Sequence, residues 1–520
     1  MALSYTLGLD IGTSGAKTVI VRHGGGCSSG VLSECTVNYK MSIPRPLWCE
    51  QQPEDWWRAS CRSIKTAVTN SGLKADDISC IGITGQMHGL VLLGKKGNVL
   101  RPCIMWNDQR SAGICEKITS QIGIETITRL TGNKMLPGFT APKIIWVREN
   151  EPKIYRQVYK ILLPKDYVSY RLTGHFHTDA SDASGTALFN VKDRRWSLEM
   201  LDLLDIDADL MPKEYESPEI CSEVSEDGAR STGLPAGIPV IAGAGDQAAQ
   251  AVGTGTIYEE SCTVTIGTSG VVFSPSEKYR FDKNGRLHAF CHAVPGKWHV
   301  MGVMLNAGGS LKWYREILWA SSCAGRVTAA ARTDAYDLIT REAARAPPGS
   351  SGLIFLPYLS GERTPYADPN ARGVLFGITL AHTKSHVSRA VIEGITFGLR
   401  DCYELITDLG LKPEIIQLTG GGAKSRLWAQ IIADVFHIKV SSMISTHGAA
   451  YGAALLAGAG VGLYKSVDEA CTRRYTRSRV LKPTNNQKIT SVYERNYILY
   501  RTLYKNLKPS FDSAARDESH

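Results

Sequence analysis

Hydrophobic positions fall in short runs punctuated by glycine, and one arrangement of run and turn occurs twice. Residues 6–10, 16–22 and 31–39 read as strands, joined by the turn Gly12-Thr13-Ser14-Gly15 and a tip at Gly24-Gly25-Gly26. That pattern predicts an antiparallel meander. Far downstream, Thr263-Val264-Thr265-Ile266 runs into Gly267-Thr268-Ser269-Gly270. A strand entering a Gly-Thr-Ser turn offers backbone N–H groups and two hydroxyls at a sharp reversal, which suits phosphate. One such turn is equally explained as a tight hairpin. Its repetition predicts a nucleotide clamped between duplicated domains.

Other runs fill in the two halves. Pro53-Glu54-Asp55-Trp56-Trp57 opens an amphipathic helix, with proline and acids in its first turn. Residues 78–84 read as a strand ending at Gly85-Gln86-Met87-His88-Gly89, and 104–108 as another strand end carrying Trp106-Asn107-Asp108. From there to about residue 207 the chain reads as helical and irregular, with a helix at 142–149. In the second half, 239–243 is a buried strand followed by Ala244-Gly245-Asp246-Gln247-Ala248-Ala249, and a hinge is expected near 252–260. Residues 347–351 form a loop, 386–401 a helix, and 415–418 a strand running into Gly420-Gly421-Gly422. Interleaved strands and helices, each half opening on a meander, predict two α/β domains with mixed sheets and ligands at the strand ends.

A length of 520 residues exceeds one core. We place one domain over 1–250, a second over 251–507, and a polar, frayed tail over 508–520. The 59 basic and 50 acidic residues leave +9 without a dense basic run, which favours an anionic ligand and disfavours nucleic acid. Thirteen cysteines without a CxxC pair fit reduced thiols rather than disulfides or zinc. Residues 449–464 are Ala- and Gly-rich, short of the ~18–20 strongly apolar residues of a membrane span. They read as a helix packed close to a neighbour. No secretory leader precedes the first strand, so the expectation is a soluble, cytoplasmic protein with no membrane partner.

Several residues could carry chemistry. Asp10 at a strand end could hold Mg2+, directly or through water, or merely cap its own turn. Lys17 could face phosphate or solvent. Asp246, between small residues, could take a proton from a hydroxyl attacking phosphorus, or serve as a helix N-cap. The three glycines at 420–422 permit close approach of adenine or ribose, though an ordinary loop explains them too. His88 could bond a sugar hydroxyl and Trp106 could stack on a sugar face; core packing is the plainer reading of both. A Walker motif and a convincing GxGxxG after the first strand are absent, which argues against P-loop and Rossmann nucleotide binding.

Taken together, Asp10-Ile11-Gly12-Thr13-Ser14, Gly85-Gln86-Met87-His88-Gly89, Trp106-Asn107-Asp108, Gly245-Asp246, Ile266-Gly267-Thr268-Ser269 and Gly420-Gly421-Gly422-Ala423 resemble the FGGY carbohydrate kinases. Two signature stretches of that family, at 138–146 and 373–393, look intact, and the resemblance runs from about residue 6 to about 463. Within the family, Pro46-Leu47-Trp48-Cys49-Glu50-Gln51, Thr131-Gly132-Asn133, Leu163-Pro164-Lys165-Asp166-Tyr167 and the 356–365 stretch resemble the branch acting on D-xylulose. Members acting on glycerol would carry Arg-Glu at Met87-His88.

The resemblance implies an actin-like, hexokinase-like fold of two ribonuclease-H-type domains, with the active site in the cleft between them. It implies ATP-dependent phosphorylation of the 5-hydroxyl of D-xylulose, with ATP and Mg2+ as cofactors. The partners are then a small sugar and ATP, self-association as a homodimer being left open. Asp246 matches the family's catalytic base and Asp10 its metal-associated carboxylate, with Asp246 also close to the metal. Met87 and His88 match the sugar-contacting pair, with Trp106, Asn107 and Gln247 beside them. Gly12, Thr13, Ser14, Lys17, Gly267, Thr268, Gly308, Lys312, Gly421, Gly422, Ser425 and Arg426 fall where relatives hold the nucleotide. Gln247 departs from the Asn that many members of that branch carry. The rivals are a kinase for ribulose, ribitol or a deoxy-xylulose, and an actin-like ATPase that moves a protein partner.

Overall fold

The computed structural model describes residues 3–24, 30–319, 331–443, 447–472 and 478–517. Two seven-stranded mixed sheets organise the chain. The first runs in the order Ile220–Glu223, Pro239–Ile241, Ile78–Gly85, Ser4–Ile11, Gly15–His23 and Gly30–Asn38, with Ala244–Gly245 also paired to Ile78–Gly85. The second runs His288–Cys291, Trp298–Met304, Gly270–Ser276, Ser261–Ile266, Ile415–Gly420, Lys439–Met443 and Ser478–Leu481.

The two sheets share one plan. Ser4–Ile11 is antiparallel to Gly15–His23 and parallel to Ile78–Gly85, and Ser261–Ile266 stands in the same relation to Gly270–Ser276 and Ile415–Gly420. Each Gly-Thr-Ser turn therefore joins the first two strands of its sheet. Duplication read from the turns is duplication of the whole sheet core, as the two-domain, actin-like expectation required. The tip residues Gly25 and Gly26 lie outside the described residues.

Helices form where the apolar spacing predicts them. Pro53–Ser71 carries Pro at its start and Glu54 and Asp55 in its first turn, buries Trp56, Trp57, Ile64 and Ala67, and stops at Gly72 with φ 73°. Around residues 104–108 only Cys103–Ile104 is strand; Trp106 and its neighbours lie in the loop that follows. Lys384–Asp408 exceeds its predicted length and is buried along most of it, which makes it a core helix of the second lobe.

The helix Gly448–Gly460 packs not on the second sheet but on the first. A Cβ on Gly8 would lie 1.9 Å from the Ala450 carbonyl oxygen, and one on Gly82 would lie 2.1 Å from that of Ala453. From its other side, a Cβ on Gly452 would lie 1.7 Å from the Ala249 carbonyl oxygen. Glycine on both surfaces permits backbone contact, so the chain returns to its first lobe after building its second. The tail expected to fray from 508 is instead the end of a helix, Gln487–Asp517. Tyr500, Tyr504 and Phe511 sink into the core of the second lobe and hold it down.

The lobes meet through aromatic rings. Phe139 lies 5.6 Å from His288 and 6.1 Å from Phe290, while Phe273, Met301 and Val303 join the same apolar cluster. No helix among the described residues is long and apolar enough to cross a membrane.

Candidate active site

Asp10 and Asp246 stand on either side of one strand. Asp10 pairs in register with Thr84 of Ile78–Gly85, and Ala244 pairs with the same Thr84 from the opposite edge. Asp246 follows one residue after Gly245 and opens the helix Asp246–Thr254. Gly245 occupies the N-cap position, so Asp246 is not the cap that its sequence context also allowed. Its carboxylate sits in the first turn, where the helix dipole favours negative charge.

Both acids are half-buried, and their surroundings disfavour the charged form. Asp10 is pushed up to about 7 by burial and by the Asp246 charge, against a weaker pull from Lys17. Burial raises Asp246 to about 6, opposed by hydrogen bonds from Gln247, whose side-chain amide nitrogen lies 3.3 Å from Asp246 Oδ1. Asp10 Oδ1 is buried without any hydrogen-bond partner. An orphaned carboxylate oxygen beside a second acid fits a hard cation such as Mg2+. Among the described residues no three His, Cys, Asp or Glu side chains gather as a cage, so any such ion would take its other oxygens from phosphate and water.

Asp246 is held from behind by a buried ionic cluster. The Gly245 N–H donates to Ser181 Oγ at 3.0 Å, and the Ser181 hydroxyl donates to Asp179. Lys165 Nζ lies 2.9 Å from Asp179, 2.5 Å from Asp166 and 3.7 Å from Asp182, all four side chains being inaccessible to solvent. Neither oxygen of Asp182 accepts a hydrogen bond. Burial drives Asp182 strongly upward, with Lys165 opposing and Asp166, Asp179 and Asp246 reinforcing. Burial raises Asp166 as well, with Lys165 opposing.

Each Gly-Thr-Ser turn is closed internally. The Gly12 N–H donates to Gly15 O at 3.0 Å and the Gly267 N–H to Ser269 O at 3.0 Å. Among the described residues no acceptor takes the N–H groups of Thr13, Ser14, Thr268 or Ser269, which leaves them for an anion. The Thr13 carbonyl accepts from Gln51 at 2.7 Å, and Thr13 Oγ1 accepts from the Trp106 indole at 3.1 Å. Trp106 is thus half-exposed and tied to the first turn rather than sunk in the core. The Thr268 carbonyl accepts from Ala307 and Gly309, and Gly267 O from Gly308. A Cβ on Gly308 would lie 2.4 Å from Gly267 O, so glycine lets the helix Gly308–Tyr314 seat on the second turn.

Met87 and His88 line the space beside Asp246. A Cβ on Gly245 would fall 3.0 Å from Met87 Sδ, and one on Gly185 would fall 2.5 Å from the His88 ring. His88 stacks on Phe139 at 4.7 Å and its Nδ1 lies 2.6 Å from the Gly185 carbonyl. Burial, with smaller pushes from Lys143 and Arg363, lowers His88 to about 3 against that carbonyl, so the ring is neutral. A neutral ring with Nδ1–H fixed on a carbonyl leaves Nε2 as an acceptor. Asn107 Oδ1 is buried without a partner.

The remaining nucleotide-side residues divide. Lys17 forms a partly exposed ion pair with Glu34 at 2.8 Å beside the turn. Ser425 caps Arg426–Phe436, its hydroxyl oxygen accepting from Trp428 N, which leaves the O–H available as a donor. Gly422 and Gly420 let the loop close over Ile266, whereas a Cβ on Gly421 would meet only the Ile266 carbonyl oxygen, at 3.9 Å. Lys312 and Arg426 are exposed near the second turn.

Sequence reasoning missed Gln250, whose amide donates to Thr265 at 2.9 Å and Thr419 at 3.4 Å across the lobes. It also gave no role to Lys165 or Arg363, although both lie in stretches that carry the family resemblance.

The first lobe matches the N-terminal domain of the FGGY family of carbohydrate kinases over residues 5–253, and the second matches its C-terminal domain over 262–461. A xylulose kinase of Escherichia coli (strain K12) is 39% identical over 504 residues, which cover 97% of this chain and 99% of that protein. One from Bacillus subtilis (strain 168) is 36% identical over 509 residues, 97% of this chain and 98% of its own length. The crystal structure of a xyloylose kinase from Brucella ovis superposes with a TM-score of 0.87 at 35% identity, covering 97% of this chain and 99% of that one. With both domain models matched in order and relatives aligned along nearly the whole chain, the protein belongs to the FGGY family of carbohydrate kinases.

Proposed function

We propose that this chain transfers the terminal phosphoryl group of ATP to the 5-hydroxyl of D-xylulose, giving D-xylulose 5-phosphate and ADP. One observation carries the reading: a desolvated carboxylate, Asp246, stands at a helix start beside Asp10, on the strand edge that also carries Met87 and His88. Full-length likeness to xylulose kinases supports the choice of sugar.

The residues divide the work. Asp246 accepts the proton of the attacking hydroxyl, its basicity raised by burial. Gln247, hydrogen-bonded to it, fixes the carboxylate's orientation. Free N–H groups of the two Gly-Thr-Ser turns hold phosphate oxygens from both lobes, and Gly421 leaves room for the nucleoside. Trp106 joins the sugar side to the first phosphate turn through Thr13. Asp10 and Asp246 would hold Mg2+, whose chemistry is to neutralise charge on the phosphates. Closure of the lobes excludes water that would otherwise compete as acceptor. Eleven free cysteines among the described residues suit a reducing compartment, and we place the activity in the cytoplasm.

An ADP-release assay over D-xylulose, D-ribulose, ribitol, 1-deoxy-D-xylulose and D-gluconate tests the reading. The highest kcat/KM is expected for D-xylulose. A higher value for any other acceptor overturns the choice of sugar, and ATP hydrolysis indifferent to all of them overturns the kinase assignment.

A further inference from the structure

The second lobe aims at the sugar side of the cleft a guanidinium that has no hydrogen-bond acceptor among the described residues. Arg363 lies in the loop after Leu356, and among the described residues no carboxylate or carbonyl accepts from its guanidinium. The neighbouring acid, Glu362, acts on it through charge alone: its Oε1 accepts from the backbone N–H of Leu305 at 2.9 Å and from that of Arg363 at 2.7 Å, and its Oε2 has no hydrogen-bond partner among the described residues. The guanidinium instead points across the lobes. Its terminal nitrogen lies 3.9 Å from where a Cβ of Gly138 would stand, a point only 2.6 Å from the Trp106 carbonyl oxygen. Its charge is also felt by both His88 and His288, each held neutral by burial.

The loop that presents it is strapped on both sides. Glu362 and Asp368 exchange backbone hydrogen bonds at 2.8 Å. The Thr364 N–H donates to Val303 O at 3.1 Å, and the Thr364 hydroxyl accepts from Val303 N and donates to Arg286 O. A Cβ on Gly361, at φ 77°, would fall 2.8 Å from Asp368 O. Arg363 is therefore carried on a rigid frame, and a half-buried cation without acceptors is unfavourable unless a ligand supplies them.

We propose that Arg363 is a substrate-binding residue of the second lobe, donating its planar pair of N–H groups to the sugar end remote from the reacting hydroxyl. The inference rests on the sugar-kinase reading above and deepens it. Direction follows from neighbours: Met87 Sδ abuts Gly245 next to Asp246, whereas Arg363 lies past His88 beside Gly138 and Trp106. A 2-ketose phosphorylated at its 5-hydroxyl presents its carbonyl and 1-hydroxyl there. Two adjacent oxygens suit the guanidinium fork, while the corresponding pentitol offers tetrahedral hydroxyls in place of the planar carbonyl.

The experiment compares wild type, Arg363→Lys and Arg363→Met with D-xylulose, xylitol and ATP as varied substrates, each variant's melting temperature being recorded. Arg363→Met is expected to raise the KM for D-xylulose by about 10–100-fold, the loss of a charge-assisted hydrogen bond or two. The KM for ATP should stay within about twofold, and preference for D-xylulose over xylitol should fall about tenfold. Arg363→Lys, which keeps the charge but loses the fork, should lie between. A KM for D-xylulose within twofold of wild type in either folded variant overturns the proposal, as do equal losses for both acceptors. Should Arg363→Met fail to fold, Arg363→Lys decides by the same two readings. A wild type inert toward D-xylulose sinks the sugar assignment instead, and the KM comparison on the sugar it does phosphorylate still decides Arg363.

Discussion

Asp10 and Asp246 flank the same strand end, Thr84–Gly85, and the Asp246 charge is among the forces that keep the Asp10 carboxyl protonated to unusually high pH. Only Asp246 has an amide, Gln247, to orient it and a helix start to favour its charge. The two acids are thus unequal, and the second is the one equipped to receive a proton. Asp246→Ala should reduce kcat by at least ~10²–10⁴-fold and leave ATP affinity near that of wild type. Near-normal turnover would remove Asp246 from the chemistry.

The pH dependence should betray its burial. Asp246 titrates at about 6 and Asp10 at about 7, with burial the main cause in both. A general base works deprotonated, so kcat/KM should climb with pH up to that range and level off above it. An acidic limb near the ordinary carboxylate value, about 4, would mean that the base is solvated and lies elsewhere.

Stability should run the opposite way. Between the unfolded Asp value of about 3.9 and the folded value of about 7 for Asp10, the native state binds the extra proton. Native stability therefore falls as pH rises through that window. Asp10→Asn removes the penalty. Without nucleotide, the variant should match wild type near pH 4 and exceed it at pH 8 by roughly 2–4 kcal/mol, at 1.36 kcal/mol per unit. Denaturant melts at both pH values give the comparison; equal stabilities at pH 8 would contradict it.

Lys165 is the sole ammonium among three buried acids, Asp166, Asp179 and Asp182. Lys165→Met should destabilise the fold by roughly 3–5 kcal/mol, because it strands charge that the core cannot solvate. The deficit should shrink at pH 5, because Asp166 and Asp182, raised by burial, take up protons more readily there. A urea titration at pH 5 and pH 8 distinguishes this from simple loss of packing, which would be insensitive to pH.

The main features of the fold were legible in the sequence, and Asp10 and Asp246 could be picked out as candidates, because both depend on local pattern. The doubled meander shows in the alternation around Gly12 and Gly267, and Asp246 stands out among small residues. What escaped depends on distance along the chain. Nothing near Lys165 says that Asp179 and Asp182 surround it, and nothing near Gln250 says that Thr265 and Thr419 lie across the gap. The ion pair of Lys17 was hidden for the same reason: its partner Glu34 lies one strand further on. Polar residues at 508–517 concealed a helix because the few apolar ones, such as Phe511, suffice to anchor it.

The seat of Gly448–Gly460 against Gly8, Gly82 and Ala249 carries a consequence for biosynthesis. During translation the amino-terminal sheet emerges with an uncovered groove, and its wedge is made only after roughly four hundred further residues have left the ribosome. The first of the two lobes to be started is consequently among the last to be finished, and its sheet cannot be fully covered until that helix has been made.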